Sequence, residues 1–135
     1  MSRGIRNCNP GNIRHSRTRY LGEVRPSRDP AFKQFETMAY GYRAMFMLLN
    51  TYRRRYKLDT IRGMISRWAP PIENNTDAYI RLVAERSGIA PDAKINTESE
   101  RDMIPVVAAM SEVENGRKAV MKEVEAGWQL FSEKL

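Results

Sequence analysis

The longest helical pattern in this sequence decides its fold class, and it reads MAYGYRAMFMLLNTYRRRY over residues 38–56. Basic residues at 53–55 occupy the last turn, where cations interact favourably with the negative end of the helix dipole. We therefore expect a long core helix within a mainly α-helical protein. Its apolar stripe follows the three- and four-residue spacing of one helix face: Met45, Leu48, Leu49 and Tyr52.

Two shorter helices are predicted immediately downstream. Asp59 or Thr60 can cap the first, and the Pro-Pro pair at 70–71 ends it because proline cannot continue a helix. Thr76 can cap the second, and Gly88 is a favourable helix stop.

Two more helices are predicted in the rest of the chain. The segment TESE at 97–100 fits a capping box, in which a Thr and a Glu satisfy free amide groups reciprocally. Pro105 conflicts with that start, so it either kinks the helix or shows that the regular part begins later. Residues 115–116, Asn-Gly, offer a stop, and a final apolar stripe runs over 120–135.

The segment upstream of the long helix has a different character. Residues 3–36 are rich in Gly and Pro and carry no helical apolar stripe, which predicts turns. A small hairpin within 20–24 and a short strand at 32–35 are the only regular elements expected there. The whole pattern predicts a single mainly α (α+β) domain over 1–135, with about five helices after a loop-rich or small β N-terminal part.

Composition limits the possible partners. The formal net charge is +7, which favours an acidic partner such as nucleic acid, anionic lipid or the polyanionic bacterial wall. Cys8 is the single cysteine, so no internal disulfide, metal site or cofactor is expected. The sequence shows neither a membrane-spanning run nor a signal peptide, which predicts cytoplasmic synthesis and no membrane partner. Any action on the wall then needs a separate route out of the cell. The protein is expected to be a monomer.

The loop RNCNPGNIR at 6–14 is the most unusual stretch. Its asparagine amides offer both donors and acceptors, which suits recognition of sugars and their N-acetyl groups. The alternative is that these side chains satisfy their own turns.

A resemblance covers most of the chain. The opening RGIRNCNPGNIR, residues 3–14, resembles the RGxRNNNPGNIR opening of a family of phage and prophage proteins that are often described as virion structural proteins and assigned to lysozyme-like folds. The likeness continues through RWAPP at 67–71 and ENNT at 73–76. It departs at Cys8, where the family usually has Asn, and at Tyr20, near which it often has Trp. The resemblance implies a lysozyme-like fold, peptidoglycan as partner, and action at the wall or within a virion, where other virion or secretion components are candidate partners.

Glu114 is the first candidate for catalysis. The opening is also similar, more loosely, to the segment that follows the catalytic glutamate helix in glucosaminidases and lytic transglycosylases. In this sequence nothing before the opening provides such a helix. Glu114 lies four residues after Met110 and seven after Val107, so it continues a buried stripe. Burial and the helix C-terminus would both raise its pKa, as a general acid requires. This late position suggests a circularly permuted arrangement; the alternative is a solvated glutamate at a frayed helix end.

Glu73 is the competing carboxylate. Its position before the Thr76 cap would lower its pKa, which suits a base or a binding group better than an acid. A separation of about 6.5–9.5 Å between the two carboxyl groups would suit inversion and about 5–5.5 Å retention, whereas a transglycosylase needs one acid/base alone. We expect Trp68 to line the same cleft as the 7–14 loop, since a sugar site pairs a ring face with amides. The candidate substrate contacts are Asn7, Asn9, Asn12, Arg14, Trp68 and Tyr79.

The leading hypothesis is therefore cleavage of the peptidoglycan glycan strand, as a lysozyme (muramidase) or as a lytic transglycosylase. The first alternative is a noncatalytic wall-binding or virion structural protein that kept the fold. The second is a basic nucleic-acid-binding protein built on the arginine-rich start, although no helix-turn-helix or zinc-finger pattern is present.

Overall fold

The computed structural model describes residues 1–72 and 74–133. This part of the chain is mainly helical and carries one small antiparallel sheet, as the sequence predicts for the α+β class. None of its helices combines the length and apolarity needed to cross a bilayer. The elements in chain order are α1 (Arg3–Arg6), β1 (Glu23–Val24), β2 (Gln34–Phe35), α2 (Met38–Tyr56), α3 (Ile61–Trp68), α4 (Thr76–Ser87), α5 (Glu100–Asn115) and α6 (Met121–Ser132).

The long helix α2 is the centre of the core, as predicted. Met45 and Leu49 of its expected stripe are fully buried, whereas Leu48 is half-buried and Phe46 takes its place inside. Phe46 packs edge-to-face on Trp128 of α6, with ring centroids 5.0 Å apart. The two helices approach closely where α6 has Gly127, since a Cβ there would lie 2.5 Å from the Cβ of Tyr42.

The helix caps differ in detail from those expected. Thr60, one of the two candidates, caps α3 by accepting a hydrogen bond from the amide of Gly63. The prediction that Thr76 caps α4 is wrong by one residue: Asn75 is the cap, and the Thr76 hydroxyl donates to the carbonyl of Ala69. Such a shift is invisible to a sequence pattern because neighbouring Asn and Thr are both good caps.

The predicted capping box at 97–100 is also wrong. Ser99 caps α5, while Thr97 is buried and donates a 2.7 Å hydrogen bond to Asn50 Oδ1. Pro105 neither ends nor delays the helix, which runs from Glu100 through it. The proline removes an amide that would bond to the carbonyl of Arg101, an exposed residue in the first turn of the helix. Gly116 ends α5 in the left-handed conformation, with φ of +70°, so the predicted stop is confirmed.

The N-terminal part contains more structure than expected. Residues 3–6, predicted to be a turn, form the short helix α1, which Ser2 caps through the amide of Ile5. A helix of one turn is too short to show an apolar period. The expected hairpin within 20–24 does not form; instead β1 pairs with β2, with Glu23 opposite Phe35. The residues before this pair, 11–23, lie across from α2 and form one wall of a cleft.

Candidate functional site

A cleft of about 1820 Å³ runs along one side of the protein. One wall is the N-terminal loop of residues 11–23, and the opposite wall is the second half of α2. The end of α3 and the following residues, 67–70 and 74, close a third side. Glu114, at the end of α5, also lines the cleft.

Glu114 occupies the inward position that its spacing predicts. Met103, Val107 and Met110 of the same stripe are fully buried, and Glu114 follows them as a partly buried residue of the cleft wall. Asn12 donates a 2.9 Å hydrogen bond to its Oε1, and the hydroxyl of Tyr79 donates a 3.0 Å bond to its Oε2. The carboxyl group is therefore held at both oxygens.

Burial raises the pKa of Glu114 above its ordinary value. Hydrogen bonds from Asn12 and Tyr79, the nearby indole NH of Trp68, and the positive charge of Arg14 act in the opposite direction but do not cancel this effect. Burial and the neighbouring carboxylate also raise the pKa of the Tyr79 hydroxyl well above its usual range, so this group keeps its proton at neutral pH. The result is a carboxyl group that can carry a proton at a higher pH than a solvated glutamate.

Of the three asparagines in the N-terminal loop, only Asn12 reaches the cleft. Asn9 is fully buried, where its amide donates to the carbonyls of Ile13 and Lys33 at 3.0 and 2.9 Å. Asn7 is 1% exposed and donates to Asp29. The structure does not bring Asn7 and Asn9 to the cleft. Their side chains form hydrogen bonds within the N-terminal segment, as the alternative interpretation of these asparagines expects.

The loop is joined to α5 by Asn115, a residue that the sequence indicated only as a helix stop. Its amide donates a 2.9 Å hydrogen bond to the carbonyl of Pro10, and its Oδ1 accepts one of 2.7 Å from the Ser2 hydroxyl. These contacts place Asn12 beside Glu114. The partners are 105 and 113 residues away in sequence, so no local pattern could reveal them.

Trp68 stands where the sequence analysis expected it, beside the N-terminal loop in the cleft wall. Its indole NH donates a 3.2 Å hydrogen bond to the carbonyl of Gly11, and its ring is half-buried. The approach is close, because a Cβ at Gly11 would lie 2.7 Å from the indole. A side chain larger than hydrogen at position 11 would therefore displace the ring.

Aromatic and cationic groups that the sequence analysis missed extend this wall. The rings of Tyr52 and Trp68 lie 6.1 Å apart, and the guanidinium of Arg67 stacks 3.8 Å from the ring centroid of Tyr56. The sequence placed Tyr52 in the core stripe and gave Tyr56 and Arg67 no role. The sequence did contain one indication of this aromatic wall, because Tyr52 and Tyr56 are four residues apart and therefore share a helix face.

The other predicted residues lie in different positions. Arg14 lines the cleft, with its guanidinium 5.0 Å from the ring centroid of Phe32. Tyr79 is 6% exposed and supports Glu114 from inside the protein. Glu73 lies outside the described residues. Tyr20, near which the family that the opening resembles often has Trp, is half-buried in the cleft wall.

Among the residues that the structure describes, two further carboxylates line the cleft, and one of them is already paired. Glu23 bonds to Lys33 at 3.1 Å and to Arg25 at 2.8 Å. Burial would raise its pKa, yet the bonds from Arg25, the Tyr20 amide and Lys33 outweigh burial and lower it. Glu36 is exposed at the cleft edge. Within 1–72 and 74–133, no three His, Cys, Asp or Glu side chains are grouped as metal ligands would be.

Comparison with known proteins links the chain to a bacteriophage. No protein-family model matches it. Protein P5 of Pseudoalteromonas phage PM2 is 41% identical to it over 118 residues, which make up 85% of this chain and 72% of the phage protein.

Proposed function

Because the chain belongs to the same family as Protein P5 of Pseudoalteromonas phage PM2, a phage protein, we propose that it acts for a phage on the bacterial wall by cleaving the glycan strands of peptidoglycan. The observation that carries this proposal is the carboxyl group of Glu114 in a long cleft lined by aromatic rings. Sugar-binding clefts combine ring faces, which pack on the apolar faces of sugars, with a few polar groups that fix orientation.

In this mechanism Glu114 is the general acid. Its proton passes to the glycosidic oxygen as the bond to the leaving sugar breaks, a role that requires a raised pKa. The amide of Asn12 and the hydroxyl of Tyr79 fix the orientation of the carboxyl group and stabilise the carboxylate that remains. Such proton transfer contributes roughly 10²- to 10⁴-fold to the rate.

The ring of Trp68, with Tyr52 behind it, provides an apolar wall against which a sugar can pack. Arg14 lies in the same cleft as Glu114, and its positive charge stabilises the carboxylate after proton transfer. Trp68 and Arg14 therefore keep the substrate-binding roles proposed from the sequence.

The placement of the N-terminal loop supports a lysozyme-like, circularly permuted relationship. In the enzymes that the opening resembles, the glutamate helix comes directly before this loop. Here the loop comes first in sequence, yet Asn115 at the end of α5 bonds to Pro10 within it. The two segments are therefore neighbours in space although their order in the chain is reversed.

The decisive test is muropeptide analysis of purified sacculi incubated with the protein, with loss of turbidity measured in parallel. Glycan cleavage releases soluble fragments with new sugar ends. A new reducing end identifies a hydrolase, in which Glu73 is the candidate base, and an anhydro-sugar end identifies a transglycosylase that uses Glu114 alone. Binding to sacculi without any new end would replace the enzyme with a wall-binding or virion structural protein.

A further inference from the structure

Arg43, on the long helix α2, is a buried cation of unusual placement. It is 3% exposed, and its Nε has no hydrogen-bond partner among the described residues. Nor does any carboxylate in the described part of the chain form a salt bridge with it. An unpaired buried charge is costly, and such charges are usually compensated by an ionic or hydrogen-bonding partner.

This guanidinium belongs to the cleft. Arg43 is one of the residues that line it, together with three residues farther along the same face of α2: Met47, Asn50 and Arg54. Their spacing of four, three and four residues keeps them on one side of the helix. Residues 43 to 54 cover about 16 Å of helix axis, so the cleft extends well beyond the immediate contacts of one carboxyl group. Tyr40, one turn before Arg43, packs against Gly22, which puts Arg43 on the side of the N-terminal loop.

The charges around this part of the cleft are predominantly positive. Besides Arg14, the lining residues include five arginines: Arg19, Arg43, Arg54, Arg55 and Arg67. Of the lining carboxylates in the described residues, Glu23 is neutralised by its bonds to Lys33 and Arg25, and burial raises the pKa of Glu114. Glu36 is exposed at the cleft edge. In a peptide-substituted glycan strand the sugars carry no free charge, because the carboxyl group of each muramic acid is bonded in an amide to its peptide. Packing on these sugars therefore does not require the cations.

We propose that the part of the cleft around Arg43 binds a free carboxylate on the peptide stems that substitute the glycan strand. This inference rests on the proposed function for its substrate. A guanidinium can bind a carboxylate through two parallel hydrogen bonds, and burial limits the conformations that the Arg43 side chain can adopt before the ligand arrives. Exposed Arg54 and Arg55 provide a longer-range attraction for the same negative charges. The protein then prefers strands that carry peptides over bare ones.

The test measures binding by calorimetry in the Glu114→Gln background, so that no glycan is cleaved. The probes are a soluble glycan fragment bearing stem peptides, the same fragment after an amidase has removed the peptides and the muramic acid carboxyl groups freed in this way have been converted to amides, and a short DNA duplex. We expect the peptide-bearing fragment to bind at least about 10-fold more tightly than the bare one. Arg43→Met should abolish this preference, a loss of about 10- to 100-fold that corresponds to one hydrogen-bonded charge.

Two further variants separate charge from structure. Arg81→Met removes an exposed arginine outside the cleft lining and should keep the preference, and Arg43→Lys should retain part of it. Thermal unfolding of Arg43→Met should show no loss of stability, because replacing an unpaired buried charge with an apolar side chain of similar size is neutral or stabilising. A structural role for Arg43 would instead lower the melting temperature and weaken binding of both glycan fragments equally.

Equal binding of peptide-bearing and bare glycan by the parent background, unchanged by Arg43→Met, would overturn the carboxylate subsite and leave the glycan-directed function standing. Failure to bind either fragment would overturn both proposals. Tighter binding of the DNA duplex that depends on Arg43 would overturn the carboxylate in favour of a phosphate ligand.

Discussion

Glu114→Gln replaces the carboxyl group in the cleft with an amide of nearly the same shape. The amide cannot deliver a proton to the glycosidic oxygen, so we expect lysis to fall by roughly 10²- to 10⁴-fold. Each factor of ten corresponds to about 1.4 kcal/mol of transition-state stabilisation, which gives a loss of about 3 to 5.5 kcal/mol.

The same substitution has a defined effect on stability. Because burial raises the pKa of Glu114, the folded state holds this proton more tightly than the unfolded chain does. The contribution of protonated Glu114 to the free energy of unfolding is fully present below the pKa of this group in the unfolded chain. It is lost as the pH rises through the pKa of the same group in the folded protein. The melting temperature of Glu114→Gln relative to the parent should therefore increase with pH over that interval. At neutral pH the two should agree within a few degrees, because glutamine still accepts one of the two hydrogen bonds.

The assay compares initial rates of turbidity loss and released muropeptides for parent and variant, with thermal unfolding at several pH values. Glu112→Gln is the matched control: it lies on the same helix, pairs with Arg86 at 3.2 Å and does not line the cleft, so lysis should be unchanged. Full lysis by Glu114→Gln would refute the assignment of the acid. If Glu73→Gln were inactive in the same experiment, Glu73 would take that role.

Three further outcomes are expected. Tyr79→Phe removes one donor to the Glu114 carboxylate, so the pKa of Glu114 should rise further and the pH–activity profile should extend to higher pH. An unchanged alkaline limb of that profile would contradict the hydrogen bond between Tyr79 and Glu114. Asn9→Ala removes the side-chain partner of the Lys33 carbonyl and of the Ile13 amide, and should lower the free energy of unfolding by roughly 2–4 kcal/mol in urea titration; a change below the error of that titration would mean that the amide is dispensable to the loop. Gly127→Ala forces α6 away from Tyr42 and should cost about 1–3 kcal/mol by the same measurement, whereas wild-type stability would show that the helices can separate freely.

The positions of the candidate site residues show where sequence reasoning succeeds. Glu114 was placed inward by its spacing from Met110, and Trp68 was placed beside the N-terminal loop, where it lies. The same reasoning treated Asn7, Asn9 and Asn12 alike, but only Asn12 lines the cleft. Identical amides have identical propensities, so their roles depend on which partners the fold supplies.

The sequence by itself determined the mainly helical class, the long helix α2 and the stop of α5 at Gly116, because apolar period and capping chemistry act between residues a few positions apart. Only the tertiary structure decided which residues meet in the cleft. The bond from Asn12 to Glu114 joins residues 102 positions apart, and the rings of Tyr52 and Trp68 pack edge-to-face because α3 folds back beside α2. Contacts of that kind depend on the packing of whole elements, which no local pattern records.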